Sequence, residues 1–186
     1  MSATPLPAAQ HQAQPWKNGL GVSRMIAEFP QGAGFDAVLW QVGSTEIGAD
    51  CPFSSLPGLD RQFMVIEGAG VELSSVDEET GASWRERIER LQPPYAFRGD
   101  WRTSCRLLNG PVRVFNVMTR RGKFSAAVEI APAATVRNMK KNEGEILIAV
   151  ELPTLDAWLL DSPGKENCDI EGTGERVLVR IRADER

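Results

Sequence analysis

The sequence predicts an all-β protein, a sandwich or barrel. Three observations carry this. Apolar and polar residues alternate at period two from residue 35 to the end, glycine and proline turns recur at regular spacing, and apolar stripes at helical spacing are almost absent. With 186 residues, 42% of them hydrophobic, the chain can bury a core as one large domain or two small fused ones.

Taken in order, "MSATPLPAAQHQAQP" (1–15) reads as a polar leader. It lacks the charged start and apolar run of a signal peptide, which predicts a cytoplasmic protein, and its His11 is expected to be solvent-exposed. "PWKNGLGVSR" (15–24) reads as neither strand nor helix, because Gly19 and Gly21 cost backbone entropy in both and fit a bend or a close approach. "DAVLWQV" (36–42) offers Val38, Trp40 and Val42 to one face, and "QFMVIEGAGVEL" (62–73) reads as a hairpin bending at Gly68-Ala69-Gly70. "SWRERIERL" (83–91) is ambiguous: Ser83 and Glu86 form a capping-box pattern that favours a short helix, yet Trp84 and Ile88 also share a strand face. "PVRVFNVM" (111–118) alternates Val112, Val114, Asn116 and Met118 against Arg113, Phe115 and Val117.

The C-terminal part has the same grain in "GEILIAVEL" (144–152), "DAWLL" (156–160) and "ERVLVRIR" (175–182). "IEGAG" (66–70) and "IEGTG" (170–174) echo one another, as either duplicated or independently written turns, and "APAAT" (131–135) is the natural junction between halves.

Several function classes are excluded or disfavoured. A net charge of −4 opposes general attraction to nucleic acid or anionic membranes. The longest purely apolar stretch, "ILIAV" (146–150), is too short to span a bilayer. Cys51, Cys105 and Cys168 have no Cys-x-x-Cys spacing and are expected to be reduced and buried. The only histidine, His11, lies in the polar leader, which argues against an ordinary Ser-His-Asp triad, and one histidine cannot supply a His-rich zinc site or a two-histidine iron site. No phosphate loop, dinucleotide fingerprint or nucleophile elbow is written.

Three further stretches hold candidates for chemistry. "CPFSSLPGLDR" (51–61) fixes an irregular loop ending in Asp60 and Arg61, which in a strand face opposite ways or else are two surface charges. In "FRGDW" (97–101), Asp100 follows a turn glycine and either satisfies local amides or acts chemically. Asn116 sits on an apolar face, where it needs either a structural partner or a ligand. Arg120 and Arg121 read as a solvated strand end.

In this order, "PWKNGLGVSR", "CPFSSLPGLDR", "YAFRGD" and "GPVRVFNVMTRRG" resemble the HutD/Ves family, bacterial cupin-like proteins associated with histidine utilisation. The resemblance covers roughly residues 15–125 by motif. It implies a cupin-like jelly-roll β-barrel in a compact two-barrel (bicupin-like) arrangement: one unit over 1–186, with an N-terminal barrel at 15–130 and a smaller C-terminal portion at 131–186. It also implies that 83–91 is strand. The clustered histidines of metal-binding cupins have no counterpart here, so neither a metal nor any other cofactor is expected.

The family resemblance further implies a regulatory protein, leaning away from enzyme, that binds a small anionic metabolite such as N-formylglutamate or urocanate. The residues suit that chemistry. Arg61 offers a planar fork and Lys17 a point charge, Asn18 and Asn116 supply amides, Trp16 and Phe53 form apolar walls, and Asp60 and Asp100 orient the cations. The alternative is a metal-free isomerase or lyase acting on a small carboxylate, with Asp60 or Asp100 as general base. A third reading is an interaction module. Leu20, Ser23 and Val114 depart from the family pattern of a third glycine, a threonine and an aspartate, and bear on the shape of the pocket. Unpaired strand edges permit a homodimer.

Overall fold

The structure, a computed structural model, describes residues 3–16, 21–136, 142–160 and 174–184. Its strands are β1 (Ala3–Leu6), β2 (Gln12–Pro15), β3 (Gly21–Phe29), β4 (Trp40–Ile47), β5 (Cys51–Pro52), β6 (Leu59–Glu67), β7 (Val71–Val76), β8 (Ser83–Ile88), β9 (Tyr95–Arg98), β10 (Arg102–Leu107), β11 (Val112–Arg120), β12 (Phe124–Pro132), β13 (Ile146–Glu151), β14 (Ala157–Leu160) and β15 (Glu175–Ala183). A 3₁₀ turn at Ala8–Gln10 and a four-residue helix, α1 (Ala133–Val136), complete the described elements. None of these helices is long and apolar enough to cross a membrane.

The all-β prediction holds, but the sheets do not close into barrels. The orders are β2-β3-β4-β11-β6-β9, β5-β10-β7-β8 and β1-β14-β13-β15-β12, each with two open edges. The expected 62–73 hairpin shows the reason. β6 and β7 belong to different sheets, so the Gly68-Ala69-Gly70 segment carries the chain from one sheet to the other. Both glycines have positive φ, 92° and 127°, and a Cβ on either would lie 2.6 Å from a backbone carbonyl, of Pro111 or Ile88. Only glycine permits that corner.

The chain divides into two compact units, Gln12–Arg121 and Met1–His11 with Gly122–Arg186. The first holds the six- and four-stranded sheets, whose inner faces share one apolar core: Ile47, Phe63, Val65, Val112 and Val114 from one, Val71, Leu73, Ile88, Cys51 and Cys105 from the other. The second holds the five-stranded sheet, with Val136, Leu147, Ala149, Leu160 and Leu178 in its core. The segment 131–135, expected as a junction, forms the end of β12 and the start of α1.

Two local expectations change. The leader is structured: β1 pairs with β14, the Ala8 amide donates to Asp156 Oδ1 at 2.9 Å, and His11 is only 8% exposed, its Nε2 lying 3.0 Å from the Leu6 carbonyl. The two ends of "PWKNGLGVSR" belong to an antiparallel pair, since Pro15 ends β2 opposite Val22 of β3, while residues 17–20 lie outside the described residues. The ambiguous 83–91 segment is strand through Ile88. The Asp77 carboxylate accepts the Glu79 and Thr80 amides and shapes the β7–β8 turn, which sets Ile88 opposite Val71 in the core. Cys51 and Cys105 are free and buried as expected, while Cys168 and most of "IEGTG" lie outside the described residues.

Candidate anion site

Period-two geometry on β6 decides which of Asp60 and Arg61 points inward. The strand begins at Leu59, and Leu59, Arg61, Phe63 and Val65 alternate onto one face. Opposed residues in an antiparallel ladder share a face. Arg61 is opposite Phe97 of β9 and Met118 of β11, and Phe63 is opposite Asn116. The ladder therefore sets a guanidinium, a carboxamide and aromatic rings on one inner surface.

The Arg61 side chain is almost out of water, with the residue 7% exposed. Its guanidinium carbon lies 5.0 Å from the Phe53 ring centroid and 4.8 Å from that of Phe97, within cation–π range. Nη2 points toward Asn116 Oδ1 at 3.5 Å, the long limit of a hydrogen bond, and Nε has no partner. No carboxylate among the described residues pairs with it, and burial alone pushes the guanidinium down to about 10. It is still a cation at neutral pH.

Aromatic packing extends the surface: Phe53 lies 5.7 Å from Phe63 and 6.5 Å from Phe97, and Tyr95 stacks on Phe97 at 5.8 Å. Trp16 packs against the same core. Its Nε1 donates to Ser23 Oγ at 2.9 Å, and Ser23 Oγ shares a hydrogen bond with Thr45 Oγ1 at 3.1 Å. Gly21 makes room for that indole, because a Cβ there would meet the Glu46 carbonyl at 2.7 Å and Trp16 ring atoms at 2.9 and 3.0 Å. Two of the positions that depart from the family pattern fall on this inner face, with Ser23 opposite Thr45 and Val114 opposite Thr45 from the other side.

Not every expected residue joins the group. Arg61, Asn116 and Phe53 come together, and Trp16 packs on the same core. Lys17 and Asn18, with Leu20, lie outside the described residues. Asp60 and Asp100 instead converge on Arg121, whose Nε donates to Asp60 Oδ1 at 2.8 Å and Nη2 to Asp100 Oδ2 at 2.6 Å. Asp100 Oδ1 also accepts the Gly58 amide at 3.1 Å. Partial desolvation acts to raise the Asp100 carboxyl, but the bonds from Arg121 and Gly58 outweigh it and hold the group below its usual range. That is the reverse of what a general base near neutrality needs.

Sequence reading missed two residues. Phe97 lies inside a quoted motif, but its role follows from being opposite Arg61 across a non-local pairing. Arg121 is a two-carboxylate clamp rather than a solvated strand end. Arg120 is likewise bound, donating to the carbonyls of Val38, Pro57 and Phe35 at 3.2, 3.3 and 2.6 Å.

The geometry can be set beside known proteins. The HutD family model matches residues 8–177. Protein Ves of Escherichia fergusonii is 32% identical over 117 residues, 62% of this chain and 57% of its own length. An uncharacterized 21.2 kDa protein in the hutC 3′ region of Pseudomonas putida is 30% identical over 126 residues, 67% of this chain and 62% of its own. The chain thus matches about three fifths of the length of these curated relatives. Among solved structures, HutD from Pseudomonas fluorescens SBW25 in a formate condition superposes with a TM-score of 0.75 at 25% identity, covering 99% of this chain and 100% of the other. A conserved protein of unknown function from Pseudomonas aeruginosa PAO1 gives 0.73 at 21% identity with both chains fully covered, a likeness of fold.

Proposed function

The chain belongs to the HutD family, and from that premise we propose that its Gln12–Arg121 unit binds a small carboxylate, with Arg61 as the anchor. The observation that carries this reading is the buried Arg61 guanidinium with no carboxylate partner among the described residues and an unpartnered Nε. A desolvated cation left in that state costs folding free energy unless an acceptor arrives, and a carboxylate matches its fork. Asn116 orients the bound group, and Phe53 and Trp16 supply apolar walls. Lys17 and Asn18 add a second charge and a second amide in this reading. Asp60 and Asp100 stand apart, which favours a regulatory binder over a carboxylate-based enzyme.

The ligand proposed is an acidic metabolite of histidine degradation, N-formylglutamate or urocanate. Family membership supports this, as does the place of the Pseudomonas putida relative in a hutC 3′ region. Formate, named in the condition of the Pseudomonas fluorescens structure, is the simplest carboxylate to include in the test.

Calorimetric titration with N-formylglutamate, urocanate and formate, on the natural protein and on Arg61→Ala, decides the matter. Saturable binding that weakens by about 30-fold or more in the variant is expected, because truncation removes a buried charge-assisted pair. Equal affinity in the two proteins, or no heat from any carboxylate, overturns the reading.

A further inference from the structure

β5 is a two-residue strand at the edge of the four-stranded sheet, and its register places Cys51 directly opposite Cys105 of β10. Opposed residues in an antiparallel ladder have Cα atoms about 4.5–5.5 Å apart. That lies within the roughly 4.4–6.8 Å that a disulfide spans, and the two side chains share a face. Both cysteines are free and both belong to the same buried core. We propose that Cys51 and Cys105 form a closable dithiol, which a peroxide converts into a cross-strand disulfide that staples β5 to β10.

At rest the pair is quiet. Burial pushes both thiols up, Cys105 to about 12 with Cys51 and Asp50 contributing, so both stay protonated near neutrality. Access comes from the shortness of the strand. Two residues at a sheet edge are the kind of element that opens by local unfolding, which brings Cys51 to solvent. The exposed Cys51 thiol loses its proton and attacks one peroxide oxygen. The O–O bond breaks, Cys51 becomes a sulfenic acid, and the departing hydroxide takes the proton to become water. As β5 returns, the Cys105 sulfur attacks that of Cys51. The S–S bond forms, and the sulfenic hydroxyl leaves with the Cys105 proton as a second water. The two sulfurs are oxidised and the peroxide is reduced.

The staple reaches the candidate site through the chain. Phe53 follows Cys51 by two residues, its amide donates to the Thr103 carbonyl at 2.9 Å, and its ring lies over Arg61. The dithiol does not depend on Arg61 binding an anion, and its test leaves that reading untouched.

The test uses the full chain carrying Cys168→Ser, so that only two thiols remain. Hydrogen peroxide at mildly alkaline pH is expected to abolish both titratable thiols and lower the intact mass by two hydrogen atoms. Dithiothreitol restores both. Hydrogen exchange at the Phe53 amide slows by about tenfold in the oxidised protein, because local opening of β5 is suppressed. Adding Cys51→Ser leaves no opposing sulfur, and no dithiothreitol-reversible mass loss occurs. Two thiols that persist through the treatment, or oxygen gained at either sulfur without the reversible bond, overturn the proposal.

Discussion

Glu145 in the smaller unit and Arg61 in the larger are both charged groups taken out of water, but among the described residues only Glu145 has its counter-charges. Its side chain is fully buried, Oε1 accepts from Arg182 Nε at 3.0 Å and Nη2 at 2.8 Å, and Oε2 accepts from Arg180 Nη1 at 2.9 Å and the Asn142 amide at 3.0 Å. Arg61 meets two aromatic rings, one distant amide oxygen and no carboxylate among the described residues. Buried polar groups in native proteins are almost always satisfied. A buried charge that is satisfied internally belongs to the architecture, whereas one left without an internal acceptor is the group that the proposed carboxylate would complete.

The largest expected effect tests the architectural half. Glu145→Ala removes the carboxylate that joins two arginines of β15 to the turn before β13. Breaking a buried ion pair costs several kcal/mol, reduced here because Arg182 is half exposed and can rehydrate, so about 2–4 kcal/mol of folding stability should be lost in denaturant unfolding. Carboxylate titrations should not change. The pH dependence has a definite sign. Desolvation acts to raise the Glu145 carboxyl, but the Asn142 amide and the two arginines outweigh it and depress it in the folded state. Its stabilisation is therefore complete above the ordinary glutamate range, near pH 4.3, and lost as pH falls through the depressed folded value. Unchanged acid stability in the variant would remove Glu145 from the comparison.

The next effect probes the support of the other half. Gly21→Ala forces a Cβ against the Glu46 carbonyl and the Trp16 ring. Overpacking of this kind costs about 1–3 kcal/mol and should displace the indole from Ser23, read as a change in tryptophan fluorescence.

How much of this contrast was legible in the sequence follows from the range of each interaction. Strands such as β11 were visible because one face meets a core, as Val112 and Val114 do. β5 and β9 are too short to read, β10 buries Thr103 and Cys105 rather than large apolar residues, and β12 buries only Ala131. β2 was not visible, since all four of its residues are exposed, and β3 was hidden by half-buried residues on both faces. The face of Asn116 followed from period two alone. The direction of Arg61 did not, because it depends on the strand beginning at Leu59 rather than near Gln62. The partner of Asp60 and Asp100 was illegible for a stronger reason. Arg121 reaches them only because Thr119 of β11 lies opposite Asp60 of β6, a register set by pairings across the whole sheet. Periodicity left sandwich and barrel both open and the family resemblance implied closed barrels, while the 62–73 hairpin was misread because the Gly68-Ala69-Gly70 corner and a hairpin turn are written with the same residues.

Arg61→Met sharpens the comparison from the other side. The substitution keeps an unbranched apolar stem between Phe53 and Phe97 while removing a desolvated charge and its unpartnered Nε. Replacing buried ionic groups by apolar ones of similar volume is often neutral or stabilising, so unfolding should show a gain of about 1 kcal/mol together with loss of carboxylate binding. A loss of several kcal/mol would mean that Arg61 has a structural partner after all and would return it to the same class as Glu145.

The smallest effect belongs to the one cluster that resembles both cases. Arg121 is bridged by Asp60 and Asp100 as Glu145 is bridged by two arginines, but all three of its groups are 34–46% exposed. Water screens the pair and competes for it, so Asp100→Asn should cost only about 0.5–1 kcal/mol. The Asp100 carboxyl is depressed in the folded state, so this contribution is present above its ordinary range and fades as pH falls through the folded value. Because Arg121 faces the two aspartates and not Arg61, Asp100→Asn should leave carboxylate affinity within about twofold of the natural protein, as expected for a surface substitution away from the site. A larger drop in affinity would show that Asp100 positions the site, and would restore to it the role of orienting the binding cations in addition to its pairing with Arg121.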